Sequence, residues 1–239
     1  MTILNPLISV VIPFYNCRYV NQAIVSVLKQ SYPHIEIIVV NDGSTTNQHL
    51  ITPYMSKITY IEQENKGVAA ALNAGIEKAN GLFIAWLSSD DLFEPNKIKK
   101  QLKFMKSKNA MISFTDFNLI DKNSSIIKKN LSKNYVNEQE ILETFLESCP
   151  INGCTVMMHR NVIESIGTFN EQLKFTQDYE YWLRVALEHP IYYLPVALTN
   201  YRTHEQMGSI VYREEQMTEF QHIKDEYSPK IKQLLTNGR

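Results

Sequence analysis

The sequence predicts an α/β fold in which a mostly parallel sheet is covered by helices on both faces. Four apolar runs in the first half, at residues 8–12, 35–40, 58–62 and 82–87, lack the regular polar alternation of half-exposed strands. Continuous apolar strands are buried on both faces, which is typical of parallel sheets. Segments with helical spacing separate the runs and indicate a doubly wound unit. The 239 residues suit one large domain, or a domain with an appendage.

The helices of the first half are predicted from apolar spacing and from the residues that end them. Apolar side chains recur at helical spacing over residues 20–28, and Pro33 ends that helix. The same spacing predicts a second helix over residues 68–79, directly before the fourth strand.

The rest of the chain predicts further elements with polar connections. A helix over residues 97–108 carries six lysines, from Lys97 to Lys108, which we interpret as an ordinary solvated face, with contact to anionic lipid as the alternative. The remaining elements are a strand over residues 110–117, a polar hairpin or flexible loop over 121–133, a strand over 192–198 and an amphipathic tail helix over 211–227. The tail helix could pack on its own domain or against a partner.

Composition excludes several classes of protein. With 44% hydrophobic residues, 21% charged residues and a formal net charge of -1, the chain has no basic stripe with which to bind nucleic acid. The chain has three cysteines, Cys17, Cys149 and Cys154, which form no disulfide framework, and this indicates a reducing compartment. We interpret the three side chains as small core or loop residues. We expect a soluble, cytoplasmic protein without a signal peptide or a spanning helix, and at most peripheral membrane contact.

Polar clusters follow the predicted strands where each strand ends. They lie at residues 15–16, 42–44, 65–67 and 88–91. Because the carboxyl ends of parallel strands share one edge of the sheet, the clusters outline one ligand cleft. Residues 12–16 contain no glycine, so the glycine-rich phosphate loops of dinucleotide-binding and P-loop proteins are absent.

The last of these clusters, Ser88-Ser89-Asp90-Asp91, is the most informative. Adjacent carboxylates at the end of a buried strand raise each other's pKa unless a cation lies between them. A divalent metal that also binds a diphosphate would provide that cation. The alternative is a solvated turn in which Asp91 caps the following helix.

The four clusters, in this order, resemble glycosyltransferase family 2, a group of inverting nucleotide-sugar transferases with the GT-A fold. The likeness covers residues 8–209 and implies a Rossmann-like, mostly parallel sheet with an acceptor-side half. It also implies donor nucleotide contacts, with Asp42 on the base or ribose and Asp90 as the metal ligand. Ser88 stands where many members have the first aspartate of the metal-binding motif. The implied donor-binding residues are Pro13, Tyr15, Asn16, Asp42, Lys66, Gly67, Ser88, Ser89 and Asp90.

The second half carries the expected catalytic group. Asp178 lies at a predicted helix start, where the macrodipole favours a carboxylate, and on local grounds it could equally be a helix cap. The resemblance implies that Asp178 is the general base, with Gln177 replacing the acid that usually precedes it. Gly153, Gln177 and Trp182 are expected on the acceptor side, and His204 is expected to reach the metal or the diphosphate. Glu180 and Arg184, four residues apart, are expected to form an ion pair.

The implied protein is an inverting, Mn²⁺- or Mg²⁺-dependent hexosyl- or N-acetylhexosaminyltransferase. It would move a sugar from a nucleotide donor, UDP-linked by family expectation, to a glycan or lipid-linked glycan in bacterial surface polysaccharide synthesis. Residues 1–210 would form the GT-A domain, with a nucleotide-sugar-binding half at 8–108 and an acceptor-binding half at 109–210. Residues 211–239 would form a helical tail able to mediate oligomer contacts.

Two other functions remain as alternatives at this stage. A catalytically silent nucleotide-sugar-binding protein is suggested by Ser88 and Gln177. A sugar-phosphate nucleotidyltransferase would carry a glycine-rich signature after the first strand, which residues 13–16 do not provide.

Overall fold

The computed structural model describes residues 5–205, 207 and 211–238. The strands are β1 (Ile8–Phe14), β2 (Ile35–Asp42), β3 (Thr59–Gln63), β4 (Phe83–Trp86), β5 (Leu92–Phe93), β6 (Ile112–Ile120), β7 (Ile126–Lys128), β8 (Met157–His159) and β9 (Ile191–Arg202). The α-helices are α1 (Val20–Leu28), α2 (Val68–Lys78), α3 (Lys97–Lys108), α4 (Glu138–Phe145), α5 (Arg160–Ile166), α6 (Gln177–Glu188) and α7 (Arg213–Asn237). Short 3-10 helices lie at Gln48–Leu50, Thr52–Lys57 and Gly153–Thr155.

One mixed sheet organises the chain, with the strand order β3-β2-β1-β4-β8-β6-β9-β5 and β7 paired to β6. The four strands of the first half are parallel, as predicted. β8 then inserts antiparallel between β4 and β6, and β9 runs parallel to β6. The predicted α/β class with a mostly parallel first half is therefore confirmed.

The core has two layers because alternate residues of the central strands face opposite sides of the sheet. Val10 and Ile12 pack with α1 and α3 in one layer. Val11 packs with α2, α6 and α7 in the other. Helices on both faces explain why the strands are apolar throughout their length.

Lys97 differs from the predicted solvated face of α3. Its side chain is fully buried, and Nζ donates to the carbonyl oxygen of Val156 at 3.2 Å and lies 4.2 Å from the centre of the Phe93 ring. Burial lowers the pKa of Lys97 to about 7. The prediction was wrong for this residue because the first turn of α3 enters the protein; Lys99, Lys100, Lys103, Lys106 and Lys108 are exposed as expected.

The later elements are longer than predicted. β9 runs to Arg202 instead of ending near Leu198, and α7 continues through Pro229 to Asn237. Burial of Tyr227 and Ile231 on the two sides of Pro229 keeps this part of α7 against the domain. The polar segment after β6 forms the predicted hairpin through β7. Across the described ranges, no helix combines the length and apolar character needed to span a membrane.

Candidate active site

A cavity of about 430 Å³ opens at the sheet edge where β4 ends and α6 begins. Side chains from both halves of the domain and from α7 surround it. They are Val68, Trp86, Ser88, Asp90, Asn152, Gly153, Cys154, Lys174, Phe175, Gln177, Asp178, Tyr201, Met207 and Gln216. Five of the predicted site residues therefore lie at one cavity: Ser88, Asp90, Gly153, Gln177 and Asp178.

Asp90 lies in the turn after β4, closed by the hydrogen bond from the Asp91 amide to the Ser88 carbonyl oxygen at 3.1 Å. Its Oδ2 lies 3.1 Å from Nε2 of His204, which follows β9. Residues more than one hundred positions apart thus meet because β9 lies beside β5, the strand that follows this turn. The structure thus places the two predicted metal ligands, Asp90 and His204, side by side, and their binding of a metal stays a prediction.

Arg202 fixes the turn that carries Asp90. Its Nε donates to the carbonyl oxygen of Asp90 at 2.7 Å, and its backbone amide donates to Oδ1 of Asp91 at 2.8 Å. The guanidinium also donates to the Asp121 carbonyl oxygen, the Ser124 hydroxyl and Oε1 of Gln22. Arg202 is fully buried and lies 4.2 Å from the centre of the Tyr19 ring. The carboxylate of Asp90 is left facing the cavity while its backbone is held from behind.

Asp91 has a structural role distinct from that of Asp90. It is fully buried, and burial together with repulsion from Asp90 raises its pKa well above the ordinary value. Its interaction with Arg202 joins β9 to this turn. Helix capping, the alternative interpretation of Asp91, is not observed: α3 begins after Asn96, without a side-chain cap.

Asp90 and His204 fit the protein's share of a divalent metal site. The carboxylate oxygen of Asp90, which lines the cavity, meets the imidazole nitrogen of His204. Mg²⁺ and Mn²⁺ commonly take few protein ligands when a diphosphate supplies oxygens. In the part of the chain that the structure describes, no three His, Cys, Asp or Glu side chains gather as a complete metal site. The remaining coordination positions would belong to phosphate oxygens and water.

Asp178 is the second residue of α6 and lines the cavity together with residues of the β4 turn. Its Oδ1 accepts a hydrogen bond from the Tyr179 amide at 2.8 Å. Burial raises the pKa of Asp178 to about 6, and the negative charge of Glu219 adds to the increase. A carboxylate with a pKa near 6 can accept a proton at neutral pH and holds it better than an ordinary aspartate does.

The donor-side residues Pro13, Tyr15 and Asn16 lie at the end of β1, outside the cavity lining. Asn16 adopts a left-handed backbone conformation, with φ of 53°, and its Oδ1 accepts from the amides of Thr45 and Thr46 at 2.8 and 2.9 Å. This side chain therefore joins the ends of β1 and β2. Tyr15 is 54% exposed, so its ring is available to a ligand at this edge.

Asp42 organises the loop before α2. Its Oδ1 accepts from the Lys66 amide at 2.9 Å and from Nε2 of Gln63, and its Oδ2 accepts from the Gly67 amide at 2.8 Å. Gly43 lets this loop approach, because a Cβ atom there would lie 2.6 Å from the Asn65 nitrogen. A contact of Asp42 with a nucleotide base stays a prediction; the structure gives its carboxylate a loop-holding role.

Gly153 and Trp86 form one wall of the cavity. A Cβ atom on Gly153 would lie 2.1 Å from Cζ3 of Trp86, so only glycine allows this contact without displacement.

Trp182 does not belong to the cavity. It is fully buried beside Phe169 and Tyr181, because one turn beyond Asp178 this face of α6 has entered the core. Its place among the predicted acceptor residues is corrected to a core role.

The cysteines have closer polar neighbours than expected. Cys154 lies with Sγ 3.0 Å from the Ser88 hydroxyl, directly at the β4 turn. Burial raises the pKa of Cys17 to about 11, while a hydrogen bond with Ser89 opposes the increase. Both thiols therefore stay protonated at neutral pH and pack beneath the turn. The predicted Glu180–Arg184 ion pair is found at 2.7 Å.

Several lining residues have no signal in the sequence. Val68, Trp86, Lys174 and Gln216 belong to ordinary apolar or solvated patterns and reach the cavity only through tertiary packing. Gly208 and Ser209, at the end of the stretch that resembles the family, lie outside the described residues. Met207, which is described, lines the cavity.

Comparison with known proteins adds independent evidence. The Glycosyl transferase family 2 model matches residues 9–167 of the chain. An uncharacterised glycosyltransferase of Rickettsia prowazekii is 38% identical over 208 residues, covering 84% of this chain and 65% of that protein. The putative teichuronic acid biosynthesis glycosyltransferase TuaG of Bacillus subtilis is 35% identical over 190 residues, covering 77% of this chain and 73% of TuaG. The chain spans 36% of the length of a Rickettsia felis relative.

The fold matches a solved structure at low sequence identity. S. aureus TarS in complex with UDP-GlcNAc aligns with a TM-score of 0.71 and 20% identity, over 91% of this chain and 65% of the TarS chain. This likeness bears on the fold and confirms the predicted GT-A architecture. The family match covers the β1 to α5 region, including the turn with Asp90 and the wall with Gly153. The chain belongs to glycosyltransferase family 2.

Proposed function

We propose that this chain is an inverting, metal-dependent glycosyltransferase that moves a hexosyl or N-acetylhexosaminyl group from a UDP-sugar to a hydroxyl of a glycan or lipid-linked glycan. One observation carries the proposal. Asp90, paired with His204, and Asp178, with its raised pKa, line the same cavity. A site for diphosphate charge and a site for a proton acceptor are what an inverting transfer requires.

The chemistry assigned to Asp178 is general-base catalysis. Its carboxylate takes the proton of the acceptor hydroxyl while that oxygen bonds to the anomeric carbon, and the bond from this carbon to the diphosphate oxygen breaks. Attack occurs opposite the leaving group through an oxocarbenium-like transition state, so the configuration inverts without a covalent intermediate. The proton stays on Asp178 until the product leaves, and the bonding electrons leave with the nucleoside diphosphate.

Asp90 and His204 would hold a divalent cation, which when bound stabilises the negative charge of the leaving diphosphate. Arg202 supports this role because it fixes the Asp90 backbone and leaves the carboxylate free. The loop of Lys66 and Gly67, held by Asp42, borders the same sheet edge and would close on the nucleotide.

The donor and the pathway are proposed from the relatives. TarS was solved with UDP and with UDP-GlcNAc, which supports a UDP-sugar donor here. The name of TuaG refers to teichuronic acid biosynthesis, which supports a role in bacterial surface polysaccharide synthesis.

Slow hydrolysis of UDP-GlcNAc tests the mechanism without a known acceptor. Purified chain with Mn²⁺ should release UDP, and NMR at early times should show free sugar with the anomeric configuration opposite to that of the donor. Sugar of retained configuration would contradict direct displacement. A chain that binds UDP but does not turn over any of a panel of UDP-sugars, with or without glycan acceptors, would favour a silent nucleotide-sugar-binding protein.

A further inference from the structure

The segment that leads into Asp178 is held by a residue of the C-terminal helix. Both carboxylate oxygens of Glu219, on α7, receive hydrogen bonds from this one segment. The backbone amides of Lys174, Phe175 and Thr176 donate at 2.9, 2.8 and 2.7 Å, and the Thr176 hydroxyl donates at 2.8 Å. The last of these residues directly precedes α6, whose second residue is Asp178.

These hydrogen bonds replace the usual cap of α6. Thr176 occupies the N-cap position, but its side chain makes no hydrogen bond to the helix. Its hydroxyl donates to Glu219 instead. Burial alone would raise the pKa of Glu219, but the bonds from Lys174, Phe175 and Thr176 outweigh burial and hold the pKa below its ordinary value. Glu219 is therefore ionised at neutral pH, and its bonds are charge-assisted.

Glu219 is itself held in place by the packing of α7. Phe220 stacks on Tyr179 with ring centroids 4.5 Å apart, and the Tyr227 hydroxyl donates to Oε1 of Glu180 at 2.9 Å. Ile223 and Ile231 are buried in the same core layer as α6. One turn before Glu219, Gln216 lines the cavity. The helix thus contacts residues on both sides of Asp178 in sequence, those before α6 and those within it, and also reaches the cavity.

We propose that Glu219 is a positioning residue for the reaction and that α7 completes the active site. This inference rests on the proposed function, because it takes Asp178 as the base. Glu219 fixes the residues before α6 so that the Asp178 carboxylate meets the acceptor oxygen at the anomeric carbon. Residues 213–237 lie beyond the part of the chain matched by the family model.

Glu219→Gln tests the inference with little change in shape. The amide has one acceptor oxygen and places an NH₂ donor against backbone N–H groups, so the segment should loosen. Turnover of UDP-GlcNAc with Mn²⁺ should fall by about 10- to 100-fold, since small misplacement of a catalytic group costs this much. The donor KM and the Kd of UDP should stay within about twofold, because the β4 turn is untouched. Thr176→Val, which removes one of the four bonds, should lower kcat by a smaller factor.

Hydrogen exchange gives a readout that does not depend on activity. The amides of residues 174–176 should lose protection in Glu219→Gln and keep it in Glu226→Gln, a matched change at an exposed α7 carboxylate paired with Lys230. Unchanged exchange at residues 174–176 in Glu219→Gln would overturn the inference, whether or not turnover can be measured. So would wild-type kcat in both Glu219→Gln and Thr176→Val while Asp178→Asn is inactive. Failure of the proposed function is separate: Asp178→Asn would then turn over donor like wild type.

Discussion

The Asp90 carboxylate, which lines the cavity, and the His204 imidazole lie 3.1 Å apart, although 114 positions separate them in the sequence. The pair is partly exposed, with 25% of the Asp90 side chain and 14% of the His204 side chain accessible. A ligand can therefore reach both groups. This accessibility distinguishes Asp90 from its neighbour Asp91, which is fully buried.

Removal of Asp90 should make UDP binding insensitive to metal. In wild type, Mn²⁺ should tighten UDP binding by at least about tenfold, and Asp90→Ala should abolish that gain. His204→Ala should reduce it in part, because one ligand remains. Isothermal titration of UDP with and without Mn²⁺ measures both effects. The same affinity in all titrations would remove Asp90 and His204 from the metal site.

Replacing Asp178 should separate catalysis from donor binding. Asp178→Asn keeps the shape of the side chain but removes its basicity, so turnover should fall by about 10²-fold or more. The Kd of UDP should stay within a few-fold, because Asp178 is not expected to contact the nucleotide. Steady-state kinetics and titration on the same preparation measure the two quantities. Lost UDP affinity with unchanged kcat would assign Asp178 to binding.

The pKa of Asp178 predicts how stability depends on pH. Burial raises it to about 6, above the ordinary 3.8, so the folded state binds this proton more tightly than the unfolded state. The protonated folded form is favoured below pH 4, and this contribution is lost as pH rises through about 6. Asp178→Asn does not ionise and should therefore gain Tm relative to wild type between pH 4 and pH 7. Melting curves across this range check the sign; a Tm difference independent of pH would contradict the raised pKa.

The same pKa predicts an acid limb in the rate. Protonated Asp178 cannot accept the acceptor's proton, so kcat/KM for UDP release should fall about tenfold per pH unit below about pH 6. The negative charge of Glu219 raises this pKa further. A pH series from 4.5 to 8 with UDP-GlcNAc and Mn²⁺ measures the limb. A flat profile through pH 5 would exclude a titrating base of this pKa.

Much of the first half could be predicted from sequence because its signals are local. Continuous apolar strands, helical spacing and polar strand ends depend on neighbouring residues, and β1 to β4 follow them closely. The position of Asp90 at a strand end follows from the same logic. Asp178 could be placed at a helix start for this reason as well.

The residues whose roles could not be predicted from the sequence owe those roles to packing between elements that are distant in the chain. Lys97 looks like any exposed lysine of α3 until β8 and its preceding residues cover it. Trp182 shares a helix face with Asp178, yet core packing buries it one turn further on. Glu219 looks like an ordinary polar residue of the predicted tail helix, and its role appears only where α7 meets the residues before α6. Local sequence patterns do not reveal contacts between segments that are far apart in the chain.

Gly153 should tolerate no side chain. Gly153→Ala would place Cβ within 2.1 Å of the Trp86 ring, and overpacking of this kind costs about 1–3 kcal/mol. Because Trp86 is a cavity wall, its displacement should also raise the KM for donor or acceptor. Denaturant unfolding and donor kinetics measure the two effects. Wild-type values of both would mean that Trp86 moves aside freely.

Arg202 should be required for stability and for the geometry of Asp90. Arg202→Lys keeps the charge but offers one ammonium in place of a planar fork that donates to Asp90, Asp121, Ser124 and Gln22. Leaving buried acceptors without donors costs about 1–3 kcal/mol each, so unfolding free energy should fall by about 3 kcal/mol. Because the Asp90 carbonyl is then released, the Mn²⁺-dependent gain in UDP affinity should also shrink. Arg213→Lys, at an exposed position of α7, is the matched control and should behave as wild type in both measurements. If Arg202→Lys loses stability but keeps the full Mn²⁺ effect, Asp90 does not need this support, and the two roles are independent.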